Sequence, residues 1–435
     1  MKKMQKLNSN LLSRVFGKVF ILVLLIALLV PAVGVQAADD KVKIGSLMAM
    51  SGALASYGPP INRGVLLAAK HLNEAGGVLG KEVKVVTRDT KTDPTSGVDA
   101  ARKLVKVDKV PAFVGALSSG VSMPVAESVA IPNKVVQISP SSTSPQLTGL
   151  EDDDYVFRTV PSDALQGVII GQLALDLGYE NLAIIYVNND YGKGLANATS
   201  AWFKERGGEV LASVPYEKGK ASYRGELEEA TQKNPEVLVL IGYPENGANI
   251  LRQSISGGYI DEFIFPDGMQ APEIVDNVGA QYLNGTYGTA PGSKDTPSAK
   301  TFQETYTEEY GSTPPKPFMT TAYDAAAVIG LAMHKAGSTE SEAIKNNLRF
   351  VANPPGEKIY AGTEGFKKAF QLLEEGKDIN YEGAGGSVDF NEVGDVVSPI
   401  NVWKIEDGKI VTDRTEEIAV KEGRFVPAKL IEEKE

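Results

Sequence analysis

The chain has 435 residues, of which 43% are hydrophobic and 23% are charged, and it contains no cysteine. This composition is typical of a folded globular protein, and the length is too great for a single hydrophobic core. The formal net charge of −11 argues against a nucleic-acid partner, because no basic stripe stands out that would neutralise phosphates.

The first 37 residues have the three-part layout of a secretory signal peptide. Five positively charged side chains precede an apolar run at 19–30, and the segment ends in the small-residue sequence "VQA". We expect cleavage after Ala37, with an uncleaved membrane anchor as the alternative. Without cysteine, neither a disulfide nor a lipid-modified N-terminal cysteine can form. We therefore expect a soluble, monomeric resident of the periplasm.

Strand-like and helix-like segments alternate in two successive series along the rest of the chain. The first series has predicted strands at 41–48, 82–88, 111–115 and 134–138, and helices at 61–75, 95–107 and 121–131. The second series has predicted strands at 182–187, 209–214, 236–241 and 262–265, and helices at 192–206, 221–233 and 247–257. This alternation predicts an α/β protein with two parallel sheets.

The two series are similar enough to predict a repeated unit. Tyr57-Gly58 follows the first strand of the first series, and Tyr191-Gly192 follows the first strand of the second. The helix-to-strand turn "NEAGG" is matched in the second series by "KERGG". Chance similarity of such short pairs is the alternative.

Polar loops follow the predicted strands in both series. The first series offers uncharged hydroxyl groups in "GALSSG" (115–120) and "SPSSTSP" (139–145), and the second offers Tyr191, Tyr243 and Asp267. Ligands of parallel α/β sheets bind beyond the carboxyl ends of the strands. Hydroxyls and helix N-terminal amides suit a carboxylate, whereas aromatic faces and an acid suit an ammonium group. The pattern predicts a site for a zwitterion, and each loop taken alone also fits an ordinary turn.

Residues that could carry catalysis are scarce. The only histidines are His71, which we place on a polar helix face turned to solvent, and His334 near a helix end. Neither has the spacing of a metal ligand, and no Walker-type loop, G-x-G-x-x-G motif or G-x-S-x-G elbow occurs. The sequence thus predicts a binding protein and not an enzyme, with no cofactor or metal.

Several segments together resemble the periplasmic leucine/isoleucine/valine-binding protein family. They are "KIGSLMAMSGALASYG", "LNEAGGVLGKEVKVVTRDTKTDP", "GALSSGVSMPVAE", "ISPSSTSPQLT", "YVNNDYGKGLA" and "FPDG". The resemblance runs from about Val42 to the end of the chain and is strongest up to Gly268. It implies a type I periplasmic-binding fold, in which two Rossmann-like parallel-sheet lobes are joined by a three-strand hinge and close on the ligand.

The resemblance also implies roles for individual residues. Those carried over as ligand-binding are Ser119, Ser141 and Thr143 for the carboxylate and amine, Tyr191, Tyr243 and Asp267 on the second lobe, and Tyr57 at the mouth. Ser118 and Leu117 are two further ligand-binding candidates, which are not carried over from the family. The family's archetype has a glutamate at the place of Asp267, which leaves a direct or a water-bridged ammonium contact open. The archetype's disulfide is absent, with Thr92 and Ser118 at the matching positions.

The resemblance further implies discontinuous lobes. Lobe I would take 39–160 and 292–398, and lobe II would take 161–291 and 399–435. Helices at 297–310, 320–336 and 363–375 would return to lobe I. The segment 387–411 is predicted to form a strand, a turn at 391–394 and a hairpin about Asp407-Gly408 that ends in lobe II.

Two functions from different classes remain open. The first is a solute-binding protein that delivers an amino acid, branched-chain or similar, to the membrane permease of an ABC transporter. Leu117, Met50 and Phe318 are the candidates to line its side-chain pocket. The second is a ligand-sensing receptor for an amide, urea or aromatic acid, a use that the same fold supports. No attached output domain or second membrane segment stands out, which favours transport.

Overall fold

The computed structural model describes residues 41–292, 296–421 and 424–432. The signal peptide predicted at 1–37 lies outside these residues. The chain from Lys41 onward forms one compact unit. None of the described helices is long and apolar enough to cross a membrane.

The first sheet is fully parallel and has the strand order β2-β1-β3-β4-β5. Its strands are β1 (Val42–Met48), β2 (Val83–Asp89), β3 (Ala112–Gly115), β4 (Val136–Ser139) and β5 (Val156–Arg158). The residues of β3 and β4 are buried throughout, as expected for central strands that are covered by helices on both faces.

The second sheet has the order β14-β13-β10-β9-β8-β6-β7. Its strands are β6 (Asn181–Val187), β7 (Glu209–Tyr216), β8 (Val237–Ile241), β9 (Phe263–Phe265), β10 (Tyr287–Pro291), β13 (Ile400–Glu406) and β14 (Lys409–Glu416). The strands β6 to β10 run parallel, whereas β13 and β14 join β10 in antiparallel pairing.

The two sheets repeat one topology. The order β2-β1-β3-β4-β5 of the first sheet recurs as β7-β6-β8-β9-β10 in the second. This correspondence confirms the predicted repeat and the predicted α/β class. The strand order reverses beside β1 in the first sheet and beside β6 in the second. Open α/β sheets bind their ligands at such a reversal.

Helices connect and cover the strands. In chain order they are α1 (Gly58–Glu74), α2 (Pro94–Lys103), α3 (Ser119–Val125), α4 (Ile131–Asn133), α5 (Asp163–Asp176), α6 (Asp190–Glu205), α7 (Arg224–Thr231), α8 (Pro244–Gly257), α9 (Pro272–Val278), α10 (Ala280–Leu283), α11 (Pro297–Tyr310), α12 (Met319–Ala336), α13 (Ser341–Ala352), α14 (Thr363–Glu374) and α15 (Lys429–Glu432). Single π-helical turns continue α2 at Leu104–Asp108 and α3 at Ala126–Ala130.

The later helices return to the first sheet. Helix α12 packs along α1, and α14 contacts both of them, before β13 joins the second sheet. The chain therefore crosses three times from one sheet, with its helices, to the other. The division into two lobes at 161, 291 and 399 stays a prediction.

Two expectations for local structure were wrong. The strand expected before the turn at 391–394 is absent from this described segment, where Ser387 makes only an isolated bridge to Glu382; the turn and the hairpin at Asp407-Gly408 are present. His71 is buried, because α12 covers its face of α1 and the Tyr323 hydroxyl lies 2.7 Å from His71 Nδ1.

Two small sheets were not predicted. One pairs β11 (Glu357–Tyr360) with β12 (Ile379–Glu382), and the other pairs β15 (Ile418–Lys421) with β16 (Arg424–Pro427).

Candidate ligand-binding site

The loops at the carboxyl ends of both sheets meet around one small cavity. Its volume is about 30 Å³. The residues that line it are Leu54, Tyr57, Ile61, Leu117, Ser118, Ser119, Ser141, Tyr191, Tyr243, Asp267, Gly268 and Phe318. Eight of the nine residues predicted to bind ligand are therefore together in one place; Thr143 is the exception.

Close contact between helices and strand ends brings Tyr57 and Tyr191 to the cavity. A Cβ atom on Gly58 would lie 1.9 Å from the backbone oxygen of Ala49, and one on Gly192 would lie 2.0 Å from that of Val187. Only glycine permits this approach, which sets the start of each helix directly on the end of the preceding strand. The Tyr-Gly repeat thus has a packing cause that also positions the two tyrosines.

Most hydroxyls of the 139–145 loop bind the protein itself. Ser141 Oγ donates to the backbone oxygen of Leu117 at 2.9 Å, and Ser139 Oγ donates to that of Ala116 at 2.7 Å. Ser119 Oγ accepts from the backbone N–H of Ser144 at 3.2 Å. These bonds hold the two hydroxyl loops against each other. The cavity face that they form contains Ser118, Ser119 and Ser141.

The start of α3 adds backbone donors to this wall. Ser118 precedes the helix, and its backbone oxygen accepts from the N–H groups of Val121 and Ser122 at 2.9 Å each. The first amides of a helix have no acceptor within the helix, and they carry partial positive charge. The wall can therefore hold an anion with neutral donors only.

Thr143 faces away from the cavity. Its hydroxyl donates to Asp163 Oδ2 at 2.8 Å, and its backbone oxygen accepts from the Asp163 N–H at 2.7 Å. Asp163 is fully buried, and its Oδ1 has no hydrogen-bond partner. Burial and the charge of Asp267 raise the pKa of Asp163 well above its usual range. In this geometry the Thr143 hydroxyl is bonded to Asp163, and its predicted contact with the ligand stays a prediction.

Asp267 forms the opposite wall of the cavity. It is 2% exposed, and its Oδ1 accepts hydrogen bonds from Tyr191 Oη at 2.8 Å and from Gln166 Nε2 at 3.0 Å. Burial raises the pKa of Asp267 to about 6, although the hydrogen bonds from Tyr191 and Gln166 act in the opposite direction. A buried carboxylate with a raised pKa gains much from a cationic partner.

Aromatic rings flank this carboxylate. The rings of Tyr191 and Tyr243 stack with their centroids 5.7 Å apart. The Tyr243 hydroxyl lies 2.8 Å from Ser118 Oγ, and the Tyr57 hydroxyl donates to the backbone oxygens of Asp267 and Gly268 at 3.3 Å. These bonds join side chains of the first series to the second, so the cavity is closed by polar contacts between the two sets of loops.

Part of the cavity lining is apolar. Leu117 and Phe318, which were expected to line a side-chain pocket, are among the lining residues, together with Leu54 and Ile61. Met50 does not line the cavity, and its backbone N–H donates to Asp89 at 2.9 Å. Among the described residues, no group of three or more His, Cys, Asp or Glu side chains is placed to hold a metal ion.

Sequence reasoning missed a buried cation behind the hydroxyl loop. Arg158 is 1% exposed and pairs with Asp395 at 2.6 Å, while its Nη1 donates to the backbone oxygens of Thr143 and Ser144. Gln166 was also missed. No local pattern marks either residue, because their partners come from distant parts of the chain.

Comparison with known proteins identifies the family of this chain. Residues 41–408 match the family model described as periplasmic binding protein. The chain belongs to the periplasmic binding protein family. This membership supports a solute-binding role, and it confirms the resemblance and the type I fold that the sequence predicted.

Among its relatives in this periplasmic binding protein family are receptors of two kinds. The Leu/Ile/Val-binding protein homolog 3 of Brucella melitensis is 28% identical over 86% of this chain and 94% of its own length. The chemotactic signal transduction system substrate-binding protein BasB of Halobacterium salinarum is 28% identical over 86% of this chain and 89% of its own. The crystal structure of the leucine binding protein LivK of Thermotoga maritima has a TM-score of 0.74 and 28% identity, and it covers 86% of this chain and 99% of that one. These relatives are binding proteins and not enzymes.

Proposed function

We propose that this protein binds an amino acid with an aliphatic side chain, branched or similar, and delivers it to the permease of an ABC transporter. The observation that carries the proposal is the buried Asp267 carboxylate opposite the neutral donors of Ser119, Ser141 and the start of α3. An ammonium group would pair with the Asp267 carboxylate, and a carboxylate would accept hydrogen bonds from the neutral donors. The apolar lining residues, Leu54 and Phe318 among them, suit a hydrocarbon side chain.

Ligand entry in this proposal requires the two walls to separate. A volume of about 30 Å³ holds about two water molecules, which is less than any amino acid needs. The sheets would open about the crossings near 161, 291 and 399 and close again on the ligand. A signal peptide at 1–37 would deliver the protein to the compartment where it works.

A thermal-shift screen tests the ligand class. A ligand that binds only the folded protein raises its melting temperature. We expect L-leucine, L-isoleucine or L-valine to raise the melting temperature, and the L-leucine methyl ester and isoamylamine, which is L-leucine without its carboxyl group, to have little effect. Stabilisation by the methyl ester equal to that by L-leucine would show that the hydroxyl wall does not hold a carboxylate.

A sensing role is the second candidate, because one relative is named as part of a chemotactic signal transduction system. The ligand would then be an amino acid or an amide, urea or aromatic acid, and the thermal-shift screen is extended to these three further classes. Deletion of the gene separates the two roles. Loss of uptake of the radiolabelled ligand supports transport, whereas normal uptake with lost chemotaxis supports sensing.

A further inference from the structure

Two lysines outside the ligand cavity reach from one set of strand-end loops to the other. Lys218 follows β7 of the second sheet, and its Nζ donates to the backbone oxygen of Thr92, which follows β2 of the first sheet, at 2.8 Å. Lys316 precedes α12, and its Nζ forms an ion pair with Glu273 in the first turn of α9. Neither lysine lines the cavity.

Lys316 makes three contacts, with Ser56, Glu273 and the ring of Tyr57. Its side chain is 7% exposed, and its Nζ donates to the backbone oxygen of Ser56 at 2.6 Å as well as to Glu273. It also lies 5.7 Å from the centre of the Tyr57 ring. Ser56 and Tyr57 belong to the loop after β1, whereas α9 packs on α8 beside the second sheet. The ammonium therefore bridges loops that belong to different sheets.

Lys218 makes a single hydrogen bond between the two sets of strand-end loops, to the backbone oxygen of Thr92. Much of the residue is exposed, but burial at its amino group lowers its pKa, while Asp93 and Glu217 act in the opposite direction. Its acceptor residue is well anchored, because the Thr92 hydroxyl accepts from the N–H of Leu54 at 3.1 Å and donates to the backbone oxygen of Ser51 at 3.2 Å. The contact thus reaches the loop that carries Leu54 into the cavity.

We propose that Lys218 and Lys316 are affinity-determining residues that act on closure of the cleft without touching the ligand. Both contacts exist only while the two sets of loops are together, so they stabilise the closed form alone. Apparent affinity is the intrinsic affinity reduced by the fraction of molecules that are binding-competent, and a closing contact raises that fraction. The inference rests on the proposed function only in taking closure as the step that secures the ligand.

Dissociation kinetics test the proposal with Lys316→Met, Lys218→Met and, as a control, Lys300→Met. Lys300 is exposed, and its ion pair with Glu304 stays within α11. Loss of a buried charged hydrogen bond corresponds to about a 10-fold change in an equilibrium, and loss of an exposed one to less. We expect L-leucine to dissociate about 10-fold faster from Lys316→Met and about 3-fold faster from Lys218→Met. The control should match the wild type.

A crosslinking experiment without ligand separates this inference from the proposed function. A Cβ atom on Gly120 would lie 3.0 Å from the Cβ of Asn189 across the cleft, and the chain has no native cysteine. With oxidised glutathione as the oxidant, a Gly120→Cys/Asn189→Cys pair, whose Cβ atoms need only a small shift apart to reach disulfide spacing, should therefore form a disulfide mainly in the closed form. Adding Lys316→Met should slow its formation about 10-fold, in line with the lost hydrogen bond.

The outcomes of the two experiments are distinct. Slower crosslinking and faster dissociation in the lysine variants, with unchanged melting temperatures, would support the proposal. Crosslinking and dissociation at the parent rates would overturn it even if the wild type binds L-leucine tightly. A wild type that binds no amino acid would overturn the proposed function, and the crosslinking rates would still decide the role of the lysines.

Discussion

In the proposed function, recognition of an ammonium group depends on Asp267. Its carboxylate is buried, and the hydrogen bonds that it accepts come from neutral groups, Tyr191 and Gln166. A ligand ammonium would supply the full positive charge that these donors lack. Thr143 serves a different purpose, because its hydroxyl bonds Asp163 behind the wall.

Replacement of Asp267 by asparagine should weaken amino-acid binding by about 2–5 kcal/mol, because a buried charge partner is lost. Thr143→Ser is the matched control and should cost less, about 0.5–1.5 kcal/mol, since its hydroxyl can still bond Asp163. Isothermal titration calorimetry with L-leucine measures both values. Equal affinity of Asp267→Asn and the wild type would remove the ammonium role from Asp267.

The raised pKa of Asp267 predicts a pH dependence of binding. With a pKa of about 6 in the free protein, the carboxyl is mostly ionised at pH 7 and mostly protonated at pH 5. An ammonium binds the ionised form, so affinity for an amino acid should fall by about 10-fold from pH 7 to pH 5. Calorimetric titrations across this range should show the fall in the wild type and a flat profile in Asp267→Asn. A flat wild-type profile would contradict the prediction.

At the scale of elements, the junctions between strand and helix determine where the site residues lie. Gly58 and Gly192 let α1 and α6 start against the ends of β1 and β6. The side chain of Asn189 also caps α6 by accepting from the Gly192 N–H at 3.0 Å. The position of Tyr191 is thereby fixed by backbone packing as well as by its bond to Asp267.

Gly192→Ala should lower the free energy of unfolding by about 1–3 kcal/mol, because the new methyl group would overlap the backbone oxygen of Val187. Gly225→Ala in α7 is the control, since a Cβ there meets nothing within 4 Å. That control should be neutral or more stable by up to about 1 kcal/mol, because alanine favours the helix. Urea denaturation compares the variants, and equal stability of Gly192→Ala and the wild type would disprove the close contact.

At the scale of the whole molecule, several of the contacts between the two sets of loops are polar. The Tyr57 hydroxyl donates to the backbone oxygens of Asp267 and Gly268, and the Ser118 hydroxyl is hydrogen-bonded to that of Tyr243. Lys218 and Lys316 also reach from one set of loops to the other. Polar contacts of this kind can be exchanged for water when the loops separate. Separation of the loops in the proposed hinge motion would therefore leave these polar groups hydrogen-bonded to water.

Ligand binding should close this hinge and make the protein more compact. Contacts of a zwitterion with both walls are available only in the closed form, so the ligand shifts the population towards that form. Small-angle X-ray scattering with and without saturating L-leucine should show a smaller radius of gyration with ligand. An unchanged profile under conditions of proven binding would place the ligand on one wall alone.

Local patterns in the sequence were sufficient for the architecture and for most of the candidate site. Alternation of apolar strands and amphipathic helices depends on neighbours in the chain, and it predicted the two sheets and their repeat. Strand-end loops in parallel sheets converge at one edge, which is why Ser119, Tyr191 and Asp267 could be placed together. Glycines after strand ends, as in the two Tyr-Gly pairs, are likewise a local requirement.

Tertiary structure alone decided which way side chains face and what they bind. Thr143 lies in the same loop as Ser141, yet it turns to Asp163, 20 residues further on. His71 is buried by α12, and Arg158 pairs with Asp395, although more than 200 residues separate the partners in each pair. Lys316 Nζ likewise donates to the backbone oxygen of Ser56, which lies 260 residues earlier in the chain. Such pairings leave no periodic trace in the sequence, because they depend on packing between elements and not on the conformation of the segment that carries them.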